Sequence, residues 1–318
     1  MAGGKSHRYT IECFTRDMQR IMDTEQDRPI ASGIDSLLER WLEPTSLLTD
    51  EDGGNLGDGR LPNIEYLRHI MNTEGNRAAI IGKVEPLLKT VRKRRYLGTS
   101  RFCPVCESRL REFVPFGDNL KPNKRCPVCG SLERHRLVWL FMHQKTNLFT
   151  PPRKRILHIA PEPCLASMLQ DSQKIDYVSA DLMGYPMIQT DLTQLCFPNE
   201  IFDAVYASHV LEHILDDRRA MREIYRTLKP GGWAILQVPI AKGKATYEDA
   251  TIIDPDKREQ AFGQRDHVRV YGEDYYDRLR DVGFIAHGEK LLLQTVPSAA
   301  QKLGIVSSEV ISFCIKTP

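Results

Sequence analysis

From Lys154 to the end of the chain, short apolar runs alternate with amphipathic stretches. The runs RILHIA, DYVSA, FDAVYAS and WAILQVP have the length and composition of buried strands, and DDRRAMREIYRTL has the spacing of a helix. Strands alternating with helices predict a parallel sheet covered on both faces. This pattern restricts the carboxyl-terminal part, residues 151–318, to a doubly wound α/β fold. The end of the chain departs from it. FIAHGEKLLLQTV and EVISFCIK are strand-like with no long helix between them, which predicts a closing antiparallel pair.

Upstream lies a different kind of unit. Cys103, Cys106, Cys126 and Cys129 form a C-x2-C-x19-C-x2-C pattern, read as CPVC twice. This is zinc-ribbon spacing. Two such turns aim four thiolates at one ion and close its tetrahedral shell, so the expected zinc is structural, with no open position for a substrate. The helix SLERHRLVWLFMHQ follows, with Ser131 as its expected N-cap. Residues 96–150 are therefore read as a zinc ribbon with a connecting helix. Residues 1–95 are read as a helical extension on apolar spacing in IECFTRDMQRIM and IDSLLERWL.

The chain of 318 residues has a net charge of only +2, but the charge is unevenly spread. Residues 89–155 hold 17 Lys and Arg against 4 Asp and Glu, and both flanks are acidic. That excess is more than a thiolate cluster needs. It makes nucleic acid an expected partner of this segment, with docking against the acidic flanks as the alternative. No apolar run reaches the roughly 18 residues of a membrane span, and the start of the sequence is polar. With cysteines arranged for metal and not for disulfides, a soluble cytoplasmic protein is expected.

The turn after the first strand of the α/β part is RILHIAPEPC. Nucleotide-binding folds place glycines here, and this chain has Ala160, Glu162 and Cys164. Glu162 would repel a pyrophosphate, which argues against a dinucleotide. A carboxylate near a sulfonium and an ammonium is tolerable. Pro163 suits the first position of a helix, where no N–H is needed.

Downstream, QTDLTQLCFPNEIFDAVYASHVLEHI and MREIYRTLKPGGWAILQVP resemble class I S-adenosylmethionine-dependent methyltransferases of the type 11 kind, and DHVRVYGEDYYDRLRDVGF resembles the same family's segment before its last strands. The resemblance covers about residues 150–318. It implies a seven-stranded, mostly parallel, Rossmann-like sheet with S-adenosylmethionine at the carboxyl ends of the central strands. Carried over by position, Asp181 ends the second strand and takes the ribose hydroxyls. Asp191 and Leu192 lie beside the adenine. Ala160, Pro161 and Glu162 form the turn at the methionine end, and Ser208 ends the fourth strand. His158 stands where the family has an acid.

Methyl transfer needs a base only if the acceptor must lose a proton. His209, Glu212, His213 and His267 are the candidates, with His209 and His267 preferred. Structural roles are the alternative, since LEH commonly starts a helix and HVR can brace a loop. Residues 241–266 are expected to meet the acceptor, which is RNA, a protein, a glycan or a small metabolite. Two other classes remain: a non-catalytic nucleic-acid-binding protein with a scaffold α/β domain, and a dinucleotide-dependent oxidoreductase.

Overall fold

The computed structural model describes residues 89–117, 121–184 and 186–318. The expected helical extension lies outside them, except for residues 89–95, which are helical. The chain divides into two units, Met1–Glu133 with Val296–Gly304, and Arg134–Thr295 with Ile305–Pro318.

In the first unit, β1 (Leu97–Cys103) pairs antiparallel with β2 (Ser108–Leu110), and β3 (Val114–Phe116) pairs with β4 (Lys121–Arg125). Each two-stranded ribbon delivers one cysteine pair. Cys103 ends β1 and Cys126 follows β4 directly. The short helix Pro297–Leu303 belongs to this unit.

The second unit begins at Arg134, within α1 (Glu133–Lys145), which starts two residues after Ser131. The Ser131 hydroxyl, just before it, lies 3.2 Å from the sulfurs of Cys103 and Cys129. Eight consecutive residues of α1, His135 to Met142, are buried, so this helix is covered all round.

The chain then runs β5 (Lys154–Ile159), α2 (Pro163–Gln170), β6 (Ile175–Asp181), β7 (Ile188–Gln189), β8 (Phe202–Ser208), α3 (Asp217–Thr227) and β9 (Leu228–Gln237). After these come β10 (Tyr247–Glu248), α4 (Pro255–Phe262), β11 (Arg269–Val270), α5 (Tyr275–Val282), β12 (Phe284–Glu289) and β13 (Ile311–Lys316).

Seven strands form one sheet in the order β12-β13-β9-β8-β5-β6-β7. The pairs among β5 to β9 are parallel, and β13 is antiparallel to both its neighbours. The chain builds outward from β5 to β7, then returns to the other side of β5. The order therefore reverses between β5 and β8, and a crevice opens at their carboxyl ends, where α/β sheets bind ligands. The expected antiparallel closing pair is β12 and β13.

Alternation along the strands decides the two faces. Leu157, Ile159, Val205 and Leu236 pack in one core with Met221 of α3 and Leu279 of α5. On the other face His158 stands opposite Tyr206 in register. There Phe141 of α1 meets Phe313 of β13, with ring centres 5.3 Å apart. The turn from α3 into β9 needs both glycines of LKPGG. Gly231 has φ +72°, and a Cβ on Gly232 would lie 2.8 Å from the Lys229 carbonyl oxygen.

Candidate cofactor and metal sites

The turn from β5 to α2 keeps its route without glycine. Ala160 takes a left-handed conformation, φ +47°, at a cost of roughly 1–2 kcal/mol for a residue with a Cβ. Its N–H donates to the Ala180 carbonyl at 2.9 Å, which extends the β5–β6 ladder. Glu162 is the N-cap residue of α2 with extended backbone, and Pro163 fills the first helical position, as expected.

The Glu162 side chain bonds to neighbouring strands. It makes no cap bond. Its Oε2 lies 2.8 Å from His158 Nε2, and its Oε1 accepts from the Tyr206 hydroxyl at 3.0 Å. Behind it, His158 Nδ1 lies 3.1 Å from the Tyr177 hydroxyl, and His135 Nε2 lies 3.7 Å from Glu162 Oε1. The carboxylate is committed to a buried polar cluster with His158, Tyr206 and His135. Burial pushes the Glu162 carboxyl up, but the His158 bond and charge, with His135 behind, outweigh this and hold it below the usual range. Burial pushes His135 down to about 4 despite Glu162 beside it. Tyr206 is raised, first by burial and then by the Glu162 charge.

Of the other expected cofactor residues, Asp181 ends β6, and its Oδ1 accepts from the Met183 N–H at 3.3 Å. Asp191 follows β7 and caps the short turn Leu192–Gln194, accepting from the Thr193 N–H and hydroxyl at 2.7 and 2.8 Å. Leu192 is buried, and Ser208 is the buried last residue of β8.

Directly after Ser208, the structure gathers the three candidate histidines around the fourth candidate, the Glu212 carboxylate. His209 has φ +56°, and its Nδ1 lies 3.1 Å from Glu212 Oε1. Glu212 is almost fully buried, and its Oε2 has no hydrogen-bond partner. Glu212, His213 and His267 each offer a ligand atom within 4.8 Å of the others. His213 Nδ1 lies 3.2 Å from Asp266 Oδ2, and His267 Nδ1 lies 3.3 Å from the Phe262 carbonyl oxygen. Burial, then the nearby His213, holds His267 below its ordinary pKa.

Sequence reasoning missed the side chain that holds this turn. Arg269 is buried and donates to the carbonyls of Leu211 (3.0 Å), Ile214 and Leu215 (2.8 Å). The signal was HVR, whose arginine stands two residues after His267. It does brace a loop, through its arginine.

In the first unit the sulfurs of Cys103 and Cys129 are 3.7 Å apart, as are those of Cys106 and Cys126. Zinc–sulfur bonds of about 2.3 Å in a tetrahedron require sulfurs about 3.8 Å apart. Ser108 and Ser131 hydroxyls lie 3.2 Å from the cluster sulfurs, as outer partners of thiolate ligands do. The four residues fit a zinc ion.

Residues 157–236 match a family model described as a methyltransferase domain. The chain is 36% identical over 66 residues to the ubiquinone/menaquinone biosynthesis C-methyltransferase of Pectobacterium carotovorum, and 35% identical over 66 residues to that of Pectobacterium atrosepticum. Each match spans 20% of this chain and 26% of the relative, so about a quarter of these proteins is covered. Among solved structures, the YcgJ protein of Bacillus subtilis is 17% identical, with TM-score 0.36 over 52% of this chain and 93% of that one. The 1,6-didemethyltoxoflavin-N1-methyltransferase of Burkholderia thailandensis is 15% identical, with TM-score 0.37 over 54% and 75%. The family match is confined to one stretch of the chain. The residues that match the methyltransferase-domain model, 157–236, run from β5 to β9 through the reversal point of the sheet.

Proposed function

We propose that this protein is an S-adenosylmethionine-dependent methyltransferase with its cofactor at the carboxyl ends of β5, β6 and β7. The observation that carries the reading is that the family match covers the strands flanking the reversal point. The cofactor, when bound, supplies an electrophilic methyl group, so the protein's share is to bind, orient and exclude water. The Ala160–Pro161 backbone walls the methionine end. Asp181 accepts from the ribose hydroxyls, while Asp191 and Leu192 hold the adenine. Glu162 acts indirectly, by fixing the turn through His158 and Tyr206. Ser208 closes the site at the end of β8. His209 is the better placed base of the two preferred histidines. Its side chain is 35% exposed and its ring is anchored by a buried carboxylate. His267 is buried.

Cys103, Cys106, Cys126 and Cys129 hold a structural zinc in the same proposal, supported by their sulfur separations. Seven of the eight cysteines are described and none of these forms a disulfide, which supports a reducing, cytoplasmic setting. No helix among the described residues is long and apolar enough to cross a membrane. Nucleic-acid contact through residues 89–155 is supported by the exposed Lys93, Arg94 and Arg95. The test of the activity is transfer of a labelled methyl group from S-adenosylmethionine to RNA, protein, glycan or small-metabolite acceptors. Transfer to one class is expected. No transfer, with no affinity for the cofactor, would remove the reading.

A further inference from the structure

We propose that Glu212, His213 and His267 hold a divalent first-row transition metal ion at the carboxyl end of β8. The proposal rests on these side chains and does not depend on the methyltransferase reading. The three donors come from two segments far apart in sequence, and their ligand atoms already lie within 4.8 Å of one another. An ion bound at about 2.0–2.2 Å would draw them to roughly 3–4.4 Å apart. His213 supplies the remaining movement, since its side chain is 31% exposed and its partner Asp266 is 70% exposed.

The carboxylate points to the same conclusion independently. Glu212 Oε2 is buried with no hydrogen-bond partner. A buried carboxylate oxygen without a donor is costly, and a cation removes that cost. The guanidinium of Arg269 does not play this part. It is spent on the carbonyls of Leu211, Ile214 and Leu215 and on Glu248.

Each donor also has the outer partner that metal ligands keep. His209 holds the other Glu212 oxygen, Asp266 Oδ2 lies 3.2 Å from His213 Nδ1, and the Phe262 carbonyl accepts from His267 Nδ1. With its proton on Nδ1, His267 presents the Nε2 lone pair to an ion. Two imidazoles and one carboxylate suit iron, cobalt, manganese or zinc in the divalent state better than magnesium or calcium. Three protein ligands leave positions open to water or to another oxygen ligand.

The test is a titration of the reduced, metal-stripped full chain with Co²⁺, followed by absorbance. Cobalt at the four cysteines gives thiolate charge-transfer bands; cobalt at this site gives only weak d–d bands. The expected result is one cobalt per chain beyond that accounted for by the thiolate bands. His213→Ala should keep the melting temperature and the thiolate bands, and weaken the additional cobalt at least about tenfold. Glu212→Gln should do the same to the cobalt. If all bound cobalt shows thiolate bands, or if His213→Ala binds the additional ion unchanged, the site does not exist.

Discussion

His158 Nε2 and Glu162 Oε2 are 2.8 Å apart across the turn from β5 to α2. The strand carries the base and the turn carries the acid, the reverse of the acid-bearing strand in the family this chain resembles. The pair is closed off by Tyr177 on one side and Tyr206 on the other. It ties the turn to two neighbouring strands, β6 and β8, at the place where glycines are missing.

Removing one member should therefore loosen the whole turn. Glu162→Gln is expected to cost about 3–5 kcal/mol in urea unfolding at neutral pH, the usual cost of breaking a buried pair. Because the Glu162 carboxyl is held low in the folded chain, its contribution is present above the ordinary carboxyl range. It is lost as pH falls through the folded value, so the variant should show a flatter acid limb. Affinity for S-adenosylmethionine and for adenosine should fall equally. A loss confined to S-adenosylmethionine, with stability unchanged, would show that the carboxylate faces the cofactor after all.

A second buried network centres on Asp217. It accepts from the Tyr271 hydroxyl at 2.7 Å and from Arg278 at 3.1 Å, with Arg269 at 3.7 Å. Asp217→Ala leaves two buried guanidinium groups short of a partner, and about 3–5 kcal/mol should be lost. Glu248, bonded to Arg278 and Arg269, is held down to about 2, chiefly by Arg278. Its contribution is present above the ordinary carboxyl range and fades as pH drops toward 2. Glu248 is 43% exposed, so salt should weaken that part while sparing Asp217. Melting curves across pH and salt check both halves.

One zinc per chain should be found by elemental analysis. Cys126→Ser should raise hydrogen exchange over residues 101–130 and leave S-adenosylmethionine affinity within about twofold, because a closed structural shell acts on its own unit. Full zinc content in that variant would mean that Cys126 is not a ligand.

The basic segment should retain RNA or DNA on filters with steep salt dependence. Reversing charge at Arg92, Lys93, Arg94 and Arg95 should flatten the slope and spare cofactor binding. No retention at low salt would exclude the contact and favour a protein, glycan or metabolite acceptor.

The α/β sheet was legible because its strands are continuous apolar runs and its helices amphipathic, down to the antiparallel pair at the end. The cysteine unit was legible from spacing alone. Side-chain direction was not. Nothing in APEP says that Glu162 turns inward, because this depends on a histidine four residues earlier and on Tyr206, 44 residues away. With Glu162 turned toward His158 and Tyr206, repulsion of a pyrophosphate by its carboxylate no longer separates a dinucleotide from S-adenosylmethionine. Likewise His209, Glu212, His213 and His267 were singled out one by one. The convergence of the three histidines on Glu212 needed the loop before β11 to meet the turn after β8, which Arg269 holds.

Calorimetric titration of the full chain with S-adenosylmethionine, S-adenosylhomocysteine and NAD tests the central claim most directly. Binding of both sulfur compounds and no binding of NAD is expected. Asp181→Ala and Asp191→Ala should each weaken S-adenosylmethionine by about 1–3 kcal/mol, the cost of leaving a hydrogen-bonding group unpaired. Tight binding of NAD, or S-adenosylmethionine affinity unchanged in both variants, would contradict the account.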